Sequence, residues 1–197
     1  MPLRILGVFV LSLAGDWPQF LGPTRNGVSP ESVSWPPSTL WRKDAGEGFA
    51  APVVANGKAI FFYRQKGKEI VDCLDAASGA KIWSYDYPTT YRDDFGFDEG
   101  PRSAPTIADG VVFTCGAQGV LSTVDFATGK KRWSVPTAAK KGWFGSAGSP
   151  LVEGGKVLVN IGGIVAYDQS YGKPPTTKQV IHRQQLLIST ARATHSF

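Results

Sequence analysis

Apolar residues in this 197-residue chain come in short blocks cut by Gly-containing turns, and they do not recur at helical spacing. Three stretches share one order of blocks. The first reads Ala51-Pro52-Val53-Val54-Ala55-Asn56-Gly57, then an apolar run over 59–63, then 71–75, Ala76-Ala77-Ser78-Gly79 and Ile82-Trp83. The second reads Ala104-Pro105-Thr106-Ile107-Ala108-Asp109-Gly110, then 111–114, 121–125, Ala127-Thr128-Gly129 and Trp133. The third begins Ser149-Pro150-Leu151-Val152-Glu153-Gly154-Gly155, continues over 157–161 and reaches Tyr167-Asp168. Each Pro precedes its turn Gly by five residues, each Asp precedes a Gly by four, and Asp75 and Asp125 precede a Trp by eight. Rigid internal offsets at a period of roughly 40–50 residues mark stacked supersecondary units.

Each unit reads as four short antiparallel strands. Asn56-Gly57 and Asp109-Gly110 are hairpin dipeptides, favoured because both central positions take positive φ. The β-branched and aromatic runs 60–63 and 111–113 supply the return strands, and 71–75 and 121–125 the third. In 75–79 and 125–129 an Asp able to bond its own backbone is followed by a Gly able to turn left-handed. Lys81-Ile82-Trp83 and Lys131-Arg132-Trp133 begin the fourth strand. The expected fold class is all-β, a partial β-propeller of four-stranded antiparallel blades, with about two full and two partial blades. Trp83 and Trp133 recur where a blade needs a large group to fill the wedge toward its neighbour, and Trp41 stands at the same place in an earlier, incomplete unit. The structural repeat residues are therefore Trp41, Asp75, Gly79, Trp83, Asp125, Gly129, Trp133 and Asp168.

Asp-x-x-Thr/Ser-Gly-x-x-x-Trp after an Ala-Pro-x-x-x-x-Gly hairpin resembles the PQQ-type β-propeller repeat over about residues 16–173. That repeat occurs in quinoprotein dehydrogenases, in the propeller lipoprotein of the outer-membrane β-barrel assembly machinery, and in many exported bacterial proteins. The opening Asp16-Trp17-Pro18-Gln19-Phe20, with Gly22-Pro23 and Asn26-Gly27-Val28-Ser29, resembles the mature start of such exported proteins. One fold hosts many activities, so the resemblance specifies fold more than function. In the dehydrogenases it implies a PQQ pocket with an adjacent Cys-Cys disulfide, a Trp floor and a Ca²⁺ ion; this sequence has no Cys-Cys pair.

Residues 1–14 hold Arg4, an apolar run over 5–11 and the small residues Ser12 and Ala14, the pattern of a short signal peptide cut near Ala14. That run is too short to span a bilayer, and with no Cys after the cut a lipid anchor has no attachment point. Residues 15–173 form the repeat region, and the expected location is periplasmic or extracellular. The formal net charge of +5 suggests nucleic acid, but Arg4, Lys178, Arg183 and Arg192 account for four of those charges. About +1 remains on the repeat region, without a basic stripe interleaved with aromatics, which excludes that class of partner. Cys73 and Cys115 occupy non-equivalent places in neighbouring units and read as two buried thiols. Both His residues, His182 and His195, fall in the tail, so the repeat region holds no nucleophilic triad and no metal-ligand cluster.

In the third unit Asp168 and Gly172 keep their spacing, but Pro174 and Pro175 then stand where a strand should start and no Trp follows. Residues 174–197 read as a non-repeat tail, frame-shifted or disordered, and the chain as a propeller fragment whose open blade edges favour self-association. Its candidate binding surface is the set of loops leading into each first strand: Phe49; Arg92, Asp94, Asp98, Glu99 and Arg102; Trp143 and Phe144. Asp93, Asp94, Asp98 and Glu99 lack the spacing of a regular calcium loop. The acids are expected to pair in solvent with Arg92 and Arg102, and Phe95 and Phe97 to offer apolar contact or to cap the neighbouring blade. The function expected is a non-catalytic exported binding or scaffold module with no catalytic residues, cofactor or metal and with an unidentified protein or small-molecule partner. The alternative is a piece of a PQQ-dependent quinoprotein oxidoreductase.

Overall fold

The computed structural model describes residues 15–32, 35–137 and 144–173, so the expected signal peptide 1–14, the residues 174–197 and Trp143 lie outside the described residues. Three antiparallel sheets follow one another along the chain. The first orders β1 (Val53–Ala55), β2 (Lys58–Gln65), β3 (Lys68–Asp75) and β4 (Lys81–Pro88) side by side. The second repeats this with β5 (Thr106–Ala108), β6 (Val111–Cys115), β7 (Val120–Asp125) and β8 (Lys131–Pro136). The third has β9 (Leu151–Glu153), β10 (Lys156–Asn160) and β11 (Ile164–Asp168). All-β blades with the expected hairpins are thus present. Several strands run longer than the apolar blocks: β3 starts at Lys68 because Lys66 and Gly67, at φ 50° and 71°, make a second tight hairpin.

The side-chain alternation of a strand gives the middle sheet two buried faces. Val112 and Val124 pack with Ile60, Phe62, Val71, Cys73 and Trp83 of the first sheet. Val111, Phe113, Cys115 and Leu121 point the other way, onto Val157, Val159 and Tyr167 of the third. Every residue of β6 is consequently buried. Cys73 and Cys115 are free thiols in these two cores. Burial pushes their pKa values up to about 11 and about 12 respectively, so neither is a reactive thiolate at neutral pH.

The blades are joined by one contact used three times. The Trp83 indole N–H donates to the Phe126 carbonyl at 3.0 Å, Trp133 to Gln169 at 3.0 Å, and Trp41 to Ala76 at 3.0 Å. Each acceptor is the residue after the turn Asp. Each ring lies on the turn Gly: a Cβ on Gly79, Gly129 or Gly172 would come within 2.7, 2.6 or 2.5 Å of the indole of Trp41, Trp83 or Trp133. These glycines also sit at φ 72°, 72° and 65°, so two independent constraints exclude a side chain. The Asp carboxylate holds the turn: Asp125 Oδ1 accepts from Thr128 N–H at 3.0 Å and Thr128 Oγ1 at 2.9 Å, and Asp75 does the same with Ser78. Trp41 plays this part without belonging to a strand.

A β-bulge aims the Trp. The register slips between Cys73 and Leu74, and again between Thr123 and Val124, leaving Ile82 and Arg132 as the extra residues just before Trp83 and Trp133. Replacing the buried Trp83 by Ala should cost about 3–5 kcal/mol. Chemical denaturation of the purified protein checks this, and a loss below about 1 kcal/mol would mean that the indole does not carry the blade joint.

Candidate functional site

The loops leading into β1, β5 and β9 meet at one end of the blades. Phe49 N–H and Ala50 N–H donate to the Pro101 carbonyl at 2.8 and 3.1 Å, and Ala104 N–H donates to Ser149 Oγ at 3.0 Å. Gly100 lies against the Glu47–Gly48 backbone so closely that no side chain fits there. The long loop 91–102 is therefore seated on its neighbour main chain to main chain.

Three arginines hold it in shape. Arg64, buried at the end of β2, donates through Nη1 to the carbonyls of Tyr91 at 2.7 Å and Glu99 at 3.0 Å, and pairs with the Glu99 carboxylate at 3.0 Å. Arg102 donates to the carbonyls of Gly100 at 2.8 Å and Asp98 at 2.7 Å, pairs with Asp93 at 3.3 Å, and stacks over Phe49 and Tyr91. Asp98 accepts from Gly48 N–H at 3.1 Å and Gly100 N–H at 2.7 Å. Arg92 alone keeps an exposed guanidinium, bound to Glu99 at 2.9 Å with 80% of its side chain accessible.

The expectation that the loop charges pair in solvent is corrected for Arg102. Its side chain is 9% exposed and that of Asp93 is 0%, because the loop folds over them and supplies carbonyl acceptors for the guanidinium. Arg102 and Asp98 are thus internal struts, whereas Arg92 and Asp94 face outward. The aromatic residues do the reverse of a core. Phe95, Phe97 and Phe144 are 47%, 75% and 51% exposed, with Phe95 stacked 6.2 Å from Phe97 and 5.1 Å from Phe144. Phe49 is 65% exposed, with its ring under the Arg102 guanidinium. Through Phe144, Phe95 reaches the loop that enters the next blade, while Phe97 stays the more exposed of the pair.

Two groups escaped the sequence reading. Arg64 looked like the end of an ordinary strand. Glu69, opposite it across the β2–β3 ladder, is completely buried. Its Oε1 accepts the Ala117 N–H of the next blade at 2.8 Å, and its Oε2 and the Tyr87 hydroxyl both crowd Gly116. The signal was a charged residue at an inward position of an apolar strand. Burial raises the Glu69 pKa, against the pull of Tyr87, Ala117 and Arg64.

Three stacked sheets joined Trp to Gly, with a preformed loop surface at one end, define a PQQ-type β-propeller repeat protein. The family model described as outer membrane protein assembly factor BamB matches residues 37–186, and the chain belongs to that family. It is also 32% identical over 135 residues to quinohemoprotein alcohol dehydrogenase ADH-IIG of Pseudomonas putida, and 32% identical over 138 residues to the dehydrogenase subunit of the quinone alcohol dehydrogenase of Gluconobacter oxydans. These matches take in 63% and 62% of the chain but only 18% of each relative. The quinohemoprotein alcohol dehydrogenase of Comamonas testosteroni superposes with a TM-score of 0.58 at 26% identity, over 81% of this chain and 26% of that one. BamB of Moraxella catarrhalis superposes at 0.50 with 19% identity, over 70% and 38%, a likeness of fold.

The two thiols of the described residues belong to different blades and opposite cores, and no group of three or more His, Cys, Asp or Glu is gathered for a metal among the described residues. No helix among them is long and apolar enough to cross a membrane.

Glu69 carries a pH prediction. A carboxyl whose pKa is raised by folding binds its proton more tightly in the native state. Its contribution to stability therefore falls as pH climbs from the unfolded value, about 4.3, through the folded one. Glu69→Gln keeps both hydrogen-bonding atoms and removes the titration. Its stability relative to wild type should rise with pH across that window in denaturant melts, and a pH-independent difference would show that Glu69 is not the titrating group.

Proposed function

We propose that this chain is part of a non-catalytic, exported propeller that binds a partner through the loop face built by Phe95, Phe97, Phe144, Phe49 and Arg92. The observation that carries this reading is the row of stacked, exposed phenyl rings on a loop held from within by the enclosed Arg102–Asp93 pair. An apolar row of this kind is costly to leave in water, whereas a contact surface uses it. Asp94 and Glu99 add carboxylates beside it. Membership of the BamB family agrees with a binding role, and export agrees with the leader-like start. Trp143, next to Phe144, belongs to the same proposed surface by sequence.

The second reading, a piece of a quinoprotein oxidoreductase, is favoured by the 32% identity to the alcohol dehydrogenases. The two are separated by the product of the whole gene. Incubated with PQQ and Ca²⁺, it is expected to show no dye-linked oxidation of primary alcohols; activity there would overturn the non-catalytic reading. For the surface itself, Arg92, Phe97 and Phe144, whose side chains are largely exposed, are replaced together by Ala. In-cell photo-crosslinking from position 95 is expected to trap a discrete partner with wild type and at least about tenfold less with the variant, at equal melting temperature. Equal yields would exclude this face.

A further inference from the structure

The residues ahead of the first blade are threaded across the inner strands of all three blades. Trp17 pairs with Val54 both ways, its N–H donating at 2.8 Å and its carbonyl accepting at 3.0 Å, while Asp16 Oδ1 accepts the Asn56 N–H at 2.9 Å. The Pro18 carbonyl then accepts from Ile107 N–H at 2.7 Å, which carries the segment from β1 to β5. Arg25 reaches β9, donating to the Glu153 carboxylate at 3.1 Å and the Val152 carbonyl at 3.4 Å. Between them the chain turns back on itself, with Gly22 beneath the Trp17 ring. Residues 16–25 form a strap over β1, β5 and β9.

The upstream end of the strap meets a carboxylate. Gly15 N–H donates to Glu31 Oε1, and a Cβ on Gly15 would lie 2.9 Å from that oxygen and 3.0 Å from Cδ. A main-chain amide brings one proton and no charge to this place. An α-ammonium brings three donors and a full positive charge, and charge-assisted hydrogen bonds are roughly twice as strong as neutral ones. The other nearby carboxylate, Asp16, is already engaged by Asn56. In the sequence the leader-like run, with small residues at Ser12 and Ala14, ends one residue before Gly15.

We propose that Gly15 is a processed amino terminus and that Glu31 receives its α-ammonium, so that removal of the leader completes the docking of the strap. A leader peptidase supplies the catalysis and water is the co-reactant. The water oxygen bonds to the Ala14 carbonyl carbon and the C–N bond breaks. Ala14 departs as a carboxylate, and the Gly15 nitrogen takes up protons to become the ammonium. The pair is solvent-exposed, so its effect is modest: an exposed ion pair changes an equilibrium by about threefold. This inference rests on the export reading.

The test uses the full chain, leader included, expressed in an exporting bacterium. Mass spectrometry of the exported protein is expected to find Gly15 first. NMR titration of the Gly15 Cα should give an α-amine pKa above the ordinary range of roughly 7.7–8.0, since a neighbouring carboxylate favours the charged form. In Glu31→Gln that value should return to the ordinary range, with amide exchange at Val54 and Ile107 about threefold faster. An exported protein that starts elsewhere, or a wild-type amine that titrates in the ordinary range, overturns the Glu31 anchor and leaves export standing. An intact Met1 terminus overturns both.

Discussion

The seating of an indole on a glycine turn of the next blade is the constraint on which this molecule depends. A flat sheet cannot pack against a twisted neighbour without a large group filling the wedge, and burying an indole requires an acceptor for its N–H. The Asp-initiated turn supplies both, offering a backbone carbonyl for the nitrogen and a bare Cα for the ring. The bulge ahead of Trp83 and Trp133 turns the side chain toward that seat. The Asp bonds hold the turn and the bare Gly leaves room for the ring; the bulge serves Trp83 and Trp133, whereas Trp41 reaches its seat from outside any strand.

Fixing one blade on the next also fixes the loops between them. The loop 91–102 spends its charges inward, on Arg64, Arg102, Asp93 and Glu99, and this leaves the phenyl rings outside. A loop made this way is ordered before it meets a partner, so less conformational entropy remains to be lost on association. The polarity of the loop is inverted relative to a core, with ion pairs within and aromatic rings without.

The architecture was legible because the repeat states it three times. Pro, Asp, Gly and Trp at fixed offsets reveal turns and blade joints that no single unit would have established. What stayed hidden depends on distance along the chain. Whether Arg102 and Asp93 meet in water or under a loop is decided by the path of the residues between them, which composition does not encode. Glu69 meets Ala117 across 48 residues, and Trp17 meets Val54 across a comparable gap, so neither contact has a local signature. The segment 16–25 was legible only as a resemblance, although it lies on three inner strands.

The joint between blades is directional, and this has a consequence for how such a protein changes over generations. The first and second blades each present a socket on one side and a plug on the other, built alike: Gly79 seats Trp41, Gly129 seats Trp83, and Gly172 of the third blade seats Trp133. A gene segment running from one socket to the next plug can therefore be duplicated or lost without leaving an unmatched surface. Blade number becomes a quantity that recombination adjusts in whole steps, while the loops ahead of each first strand diverge freely because the joint asks nothing of them.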